Sequence, residues 1–311
     1  MAKRRIVFLL KLLVSVFGIA FVFYRIPLES ICENWTGTTL HWLLFLIFIT
    51  FLSMLIQANR WRGLLLEDGK KIPFRTFYAY IALGYFFTAF LPGGFGGDVV
   101  KTLAFGKRFK QTPKSVAAIL VSRVQGLLML FLLFFVSLPY VCLSYAIPKI
   151  YIAGMVLALI FSFAIFFFCC YSDRFRLFDR FAERFAFVSK LRDSLALYRT
   201  HKKQFFLSFI DSFWLQLIVF VTSYGYLRSV GISLDFRLVI VFTAITVIVT
   251  MLPVSLNGIG VREWVTISLY TGILGLPADK VLAGNLLGYV LLLFQALQGA
   301  VALAVQKRTF S

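Results

Sequence analysis

Apolar residues run almost without interruption through Ile6–Tyr24, Leu40–Ala58, Val116–Leu138, Tyr151–Tyr171, Phe205–Leu227 and Val281–Val305. A run of about 20 apolar residues is long enough for a helix to cross the hydrocarbon core of a bilayer. Six full spans are therefore expected. Two other apolar segments end differently. Phe74–Leu91 runs into Pro92-Gly93-Gly94-Phe95-Gly96-Gly97-Asp98 and then a short segment, Val99–Gly106. Leu238–Leu252 runs into Pro253 to Gly260 and then a short segment, Val261–Gly275. Proline and glycine clusters break helices, so each reads as a helix, a tight turn and a second, shorter helix.

Composition narrows the class. Of 311 residues, 60% are hydrophobic and only 14% charged, against about 25% charged in an ordinary soluble domain. This excludes a soluble enzyme, a disordered chain and a collagen-like chain. The net charge of +19 does not indicate nucleic acid, because DNA-binding domains do not carry several membrane-length apolar runs. The cysteines Cys32, Cys142, Cys169 and Cys170 form no CxxC pair and read as small hydrophobes. With only His41 and His201, no metal site is expected, and no cofactor. Met1 to Arg5 followed by the first apolar run resembles a signal peptide without a cleavage site, so a retained signal anchor is expected.

Charge orients the spans. Basic residues cluster at Lys3–Arg5, Arg60–Arg75, Lys107–Lys114, Arg174–Lys203 and Lys307–Arg308, leaving few in the alternate connections. Cytoplasmic loops carry such excess, so both termini are expected in the cytoplasm. Residues 74–106 must then enter and return on the cytoplasmic side, and residues 236–277 on the outer side. The chain reads as one all-α domain, 1–311, a polytopic integral membrane protein of six spans plus two re-entrant hairpins. Its halves, about 1–145 and 146–311, form an inverted repeat, because Leu91-Pro92 with Gly97 matches Leu252-Pro253 with Gly258. Broken helices in inverted repeats are the pattern of secondary transporters; two unrelated helix breaks are the plainer alternative. The connection 172–203 has Phe178, Phe181, Phe185 and Val188 at helical spacing among arginines, as in an amphipathic helix on an anionic leaflet.

The chemistry gathers at the two tips. Gly93, Gly94, Gly96 and Gly97 let backbone approach a ligand closely. Asp98 is placed to cap the following helix, whose amides favour an anion. Lys101 reaches one turn further. The second tip offers Asn257, Gly258, Arg262 and Glu263, and Arg suits phosphate or carboxylate. The plainer readings are a packing break at the first tip and an Arg262–Glu263 or Arg262–Asp98 ion pair at the second. Arg123 either snorkels to the interface or faces the same cavity. Arg60 and Arg62 flank Trp61, an ordinary interfacial anchor that also suits contact with lipid headgroups. No catalytic residue set is found, and the longest hydrophilic stretch is too short for a catalytic domain.

Both tips resemble the signature motifs of the lysylphosphatidylglycerol synthase transmembrane-region family, a flippase-like domain. Asn59-Arg60-Trp61-Arg62 and Ser122-Arg123-Val124-Gln125-Gly126 fall where that family carries its RWR-like and ERxxG-like segments. Lys101 stands where many members have Arg, and Ser122 where many have an acid, which leaves Arg123 without its usual neighbour. The resemblance implies a stand-alone member without the aminoacyl-transferase domain of longer relatives, in a prokaryotic inner membrane. The implied activity is translocation of an anionic phospholipid or polyprenyl-linked lipid, its phosphate held between the two tips. The alternative is a membrane subunit of lipid headgroup modification, working with a separate biosynthetic enzyme. Catalysis by this chain is not expected; a phosphatidylglycerol lysyltransferase activity would belong to the fused relatives. A homo-oligomer is left open.

Overall fold

The computed structural model describes residues 33–35, 37–90, 96–171, 186–252, 255 and 258–310. Among these residues the fold is entirely helical. The helices are α1 (Gly37–Leu64), α2 (Leu66–Lys70), α3 (Phe74–Phe90), α4 (Gly96–Phe109), α5 (Thr112–Ser144), α6 (Lys149–Cys170), α7 (Ala186–Thr200), α8 (Lys202–Ser229), α9 (Phe236–Met251), α10 (Val261–Tyr270) and α11 (Ala278–Phe310). Five of them, α1, α5, α6, α8 and α11, are long and apolar enough to cross a membrane. The expected first span, Ile6–Tyr24, lies outside the described residues.

Length separates two kinds of helix. The 28 residues of α1 extend about 42 Å at 1.5 Å per residue, well beyond a hydrocarbon core of about 30 Å. The 17 residues of α3 and 14 of α4 reach only about 26 and 21 Å. The 16 of α9 and 10 of α10 reach about 24 and 15 Å. All four are shorter than a hydrocarbon core of about 30 Å. Boundaries differ from the sequence reading. The segment expected at Val99–Gly106 is a helix from Gly96 to Phe109, and the one expected at Val261–Gly275 is helical only to Tyr270.

Polarity is distributed inside out. Leu143, Ile150, Leu157, Phe161 and Leu297 are exposed, while Lys101, Gln125 and Glu263 are buried. Apolar side chains turned outward suit lipid, and polar ones turned inward avoid it.

Two apolar cores result. One, with Trp61, Phe77, Tyr80 and Phe105, gathers around α3 and α4. The other, with Phe134, Phe220, Phe242 and Tyr270, gathers around α9 and α10. The long helix α5 contributes to both. Among the longer helices, α1 packs along α8, α3 along α11, and α9 along α5. Exchanging α1 with α8, α3 with α9 and α5 with α11 reproduces the same set of pairings.

Much of the expected connection 172–203, residues 172–185 with Phe178, Phe181 and Phe185, lies outside the described residues. Lys202 and Lys203 already belong to α8. Within α7, Leu195 and Tyr198 are buried and join the core around α3 and α4. The Tyr198 hydroxyl donates to the Leu64 carbonyl at 2.8 Å, tying α7 to the end of α1. Burial raises the Tyr198 phenol above its usual range, so this donor keeps its proton at any physiological pH.

Candidate functional site

The site begins at the first turn of α4. Asp98 lies inside the helix, not at its cap, and its carboxylate turns to two bases. Oδ1 meets Lys101 Nζ at 2.6 Å, and Oδ2 accepts from Arg123 Nε at 2.7 Å and from a second guanidinium nitrogen. The Lys101 and Asp98 side chains are only 8% and 11% exposed, whereas Arg123 is 45% exposed. Arg123 therefore finds across the α4–α5 contact the acid that Ser122 does not supply beside it.

Arg60 joins this cluster from α1. Its guanidinium donates to the Ser212 hydroxyl at 3.0 Å and to the Ser122 carbonyl at 3.4 Å. Arg62 turns elsewhere, its Nε donating to the Gly69 carbonyl at 3.2 Å. Trp61 between them is 2% exposed and packs edge-on against Phe77 and Tyr80. It is a core residue, which corrects its reading as an interfacial anchor. Its indole Nε1 is buried with no acceptor among the described residues.

Close packing brings Asp98 into position. A Cβ on Gly97 would lie 2.0 Å from the Gly84 carbonyl oxygen, so only glycine lets α4 approach α3 this closely. Gly96 begins α4, while Gly93 and Gly94 lie outside the described residues.

At the second hairpin, Gly258 and Gly260 take φ of +78° and +82°, a region costly for residues with a Cβ. The chain thereby turns into α10. Glu263 holds that start, one oxygen accepting from the Gly260 N–H at 2.8 Å and the other from the Tyr289 hydroxyl at 2.8 Å. Arg262 lies over the Tyr289 ring, 4.6 Å from its centre, with Nε 3.4 Å from Glu263. It is not paired with Asp98. Asn257 lies outside the described residues.

Both clusters face one cavity of about 570 Å³. Among the described residues, its charged wall comprises Arg60, Lys101, Arg123 and Arg262 with Asp98 as the acid. Four bases against one acid leave an excess of positive charge between lipid-facing helices. Glu263, Gly96, Gly97, Gly258 and Arg62 support the wall or lie away from it.

The family model for the lysylphosphatidylglycerol synthase TM region matches residues 8–299. The chain belongs to this family. Neither a curated protein nor a solved structure gives a match. As a member of the lysylphosphatidylglycerol synthase transmembrane-region family, the chain is a multi-pass membrane protein of a lipid-related group.

Several wall residues of this family member escaped the sequence reading. Gln57, Gln216, Tyr226, Asn285, Tyr289 and Gln295 all face the cavity. Gln57 donates to the Tyr85 hydroxyl at 2.8 Å. The amides carried a readable signal, because Asn and Gln inside apolar spans are costly unless they line a polar interior. The tyrosines carried none, since aromatics are ordinary in apolar runs.

Proposed function

We propose that the chain translocates an anionic lipid across a prokaryotic inner membrane, a phospholipid or a polyprenyl-linked lipid. The observation that carries this reading is the charge of the cavity wall: four bases and one acid, deep among lipid-facing helices. Uncompensated charge at such depth is costly and is kept where it meets a counter-charge that comes and goes. A lipid phosphate is such a counter-charge, and acyl chains are accommodated by the apolar exterior.

In this reading α3–α4 and α9–α10 are re-entrant hairpins from opposite sides, and the first apolar run completes six spans. The exchange symmetry of the helix pairings supports an inverted repeat, whose two halves rock to open the cavity to each leaflet in turn. The half-exposed Arg123 receives the phosphate, with Arg60, Lys101 and Arg262 around it. The basic clusters favour cytoplasmic termini. Gly93, Gly94 and Asn257 at the tips are assigned to the same phosphate site.

Purified protein in liposomes with labelled phosphatidylglycerol tests this. Exchange between leaflets should exceed that of protein-free liposomes. Arg123→Ala should slow it roughly tenfold or more, the worth of one charge-assisted hydrogen bond. Exchange no faster than in protein-free liposomes, under several ion gradients, would overturn the reading.

The family's description names a synthase, which favours a second reading: a membrane subunit for headgroup modification beside a separate enzyme. Lysyl transfer from charged tRNA by the purified chain, or only after a partner is added, would support it.

A further inference from the structure

We propose that the cavity selects a phosphate lipid whose headgroup is uncharged and hydroxyl-bearing, and turns away headgroups that carry an amine. This rests on the reading of the cavity as an anionic-lipid site and specifies its substrate class.

The wall is uneven. Its excess positive charge lies mainly at the first hairpin, where Arg60, Lys101 and Arg123 share Asp98. Both oxygens of Asp98 are engaged by Lys101 and Arg123. Trp61, itself 2% exposed, adds a buried N–H with no acceptor among the described residues, and the Lys101 Nζ lies 5.8 Å from the indole ring centre. A buried donor without an acceptor is unfavourable and marks where an acceptor oxygen would be gained. Phosphate oxygens are such acceptors.

Towards the second hairpin the wall changes character. Arg262 stacks on Tyr289 and has Glu263 beside it, so its charge is largely answered. Around it the wall presents hydroxyls and amides, among them Tyr226, Thr246, Thr250 and Asn285. Thr246 and Thr250 donate to the Phe242 and Thr246 carbonyls at 2.8 Å. Their protons are used, so they offer lone pairs to the cavity. Asn285 donates its amide to Thr266, which leaves its carbonyl oxygen as an acceptor. Elsewhere on the wall, one turn beyond Ser212 on α8, the buried Gln216 Nε2 has no acceptor among the described residues and can donate. Donors and acceptors on one cavity wall match a diol or sugar, whose hydroxyls do both.

An amine-bearing headgroup fits badly. Among the described residues on the wall, Asp98 is the acid, and it is taken by two cations. Glu263 stands behind the wall, spent on Gly260 and Tyr289. A lysyl ester would bring two ammonium groups beside Arg60, Lys101 and Arg123, which have one acid between them on the described wall, and like charges repel strongly away from water.

The test uses the full chain in nanodiscs and a fluorescent phosphatidylglycerol displaced by competitors with identical acyl chains. Phosphatidylglycerol and phosphatidylinositol should compete at least tenfold better than phosphatidylethanolamine and lysyl-phosphatidylglycerol, a difference of about 1.4 kcal/mol. They should also compete several-fold better than phosphatidic acid. Thr246→Val and Thr250→Val, close in shape to the native residues, should lower phosphatidylglycerol affinity several-fold towards that of phosphatidic acid. Equal or tighter binding of lysyl-phosphatidylglycerol would overturn the selectivity while leaving an anionic-lipid site in place. Phosphatidic acid matching phosphatidylglycerol would overturn the hydroxyl half of the proposal. Failure of every phosphate lipid to compete would overturn both this inference and the reading beneath it. Selective binding without leaflet exchange would overturn translocation alone.

Discussion

Asp98 is the most constrained residue of the cavity because it answers two cations at once. Lys101 is even more buried than Asp98, and a buried charge stripped of its partner is strongly destabilising. Asp98→Asn should therefore cost about 3–5 kcal/mol, read as a lower midpoint of thermal unfolding in detergent. Arg123, half exposed, keeps access to water, so Arg123→Ala should cost less stability while removing more exchange activity. The types of these residues were legible from the chain, since each is a charge set in or beside an apolar run. Their partnership was not. Asp98 and Arg123 sit on different helices, and nothing in the spacing shows that Arg123 crosses to α4. Trp61 was misread for a similar reason: a tryptophan between arginines looks like an interfacial belt, and only the packing of α3 and α4 around it makes it core.

At the scale of elements, the α3–α4 hairpin depends on a backbone contact between Gly84 and Gly97. Gly97→Leu should force the two helices apart and displace Asp98 from Arg123. The expected result is loss of lipid binding together with reduced thermal stability. A milder change belongs to α7. Tyr198→Phe removes one buried hydroxyl bond to Leu64 and should cost about 1 kcal/mol, with leaflet exchange retained. Helix existence was clear from apolar periodicity and length, while helix ends were not. α1 continues through Arg62, and α8 begins at Lys202, because a helix that outruns the hydrocarbon core carries its polar ends into the headgroup layer. The break at the second tip was legible from its glycines. The capping role of Glu263 appears only once Gly260 is known to take positive φ.

Among the described residues the molecule has two apolar cores, and residues of both line one polar cavity. The charge pattern favours an orientation that can be checked directly. With the native cysteines replaced, Lys110→Cys between α4 and α5 should react with impermeant reagent from the cytoplasmic side. Ala146→Cys between α5 and α6 should react only from outside. Both positions are exposed, so the side of reaction reports topology and not burial. Reaction of both from one side would break the assigned topology of α5. The class of molecule and the two broken apolar segments were readable because bilayer thickness imposes a length and proline–glycine clusters break helices. The cavity was not readable, since it is made of residues from eight helices that converge only after packing.

The double pairing of Asp98 also bears on how tightly a lipid can bind. Arg123 and Lys101 already hold an anion that the protein itself supplies. A phosphate arriving at Arg123 competes with this internal occupant, and measured affinity is the difference between the two. Such a site exchanges one anion for another and avoids leaving its bases bare when a lipid departs, which favours release as much as capture. The Asp98→Asn protein, though less stable, should then bind phosphatidylglycerol more tightly and let it go more slowly.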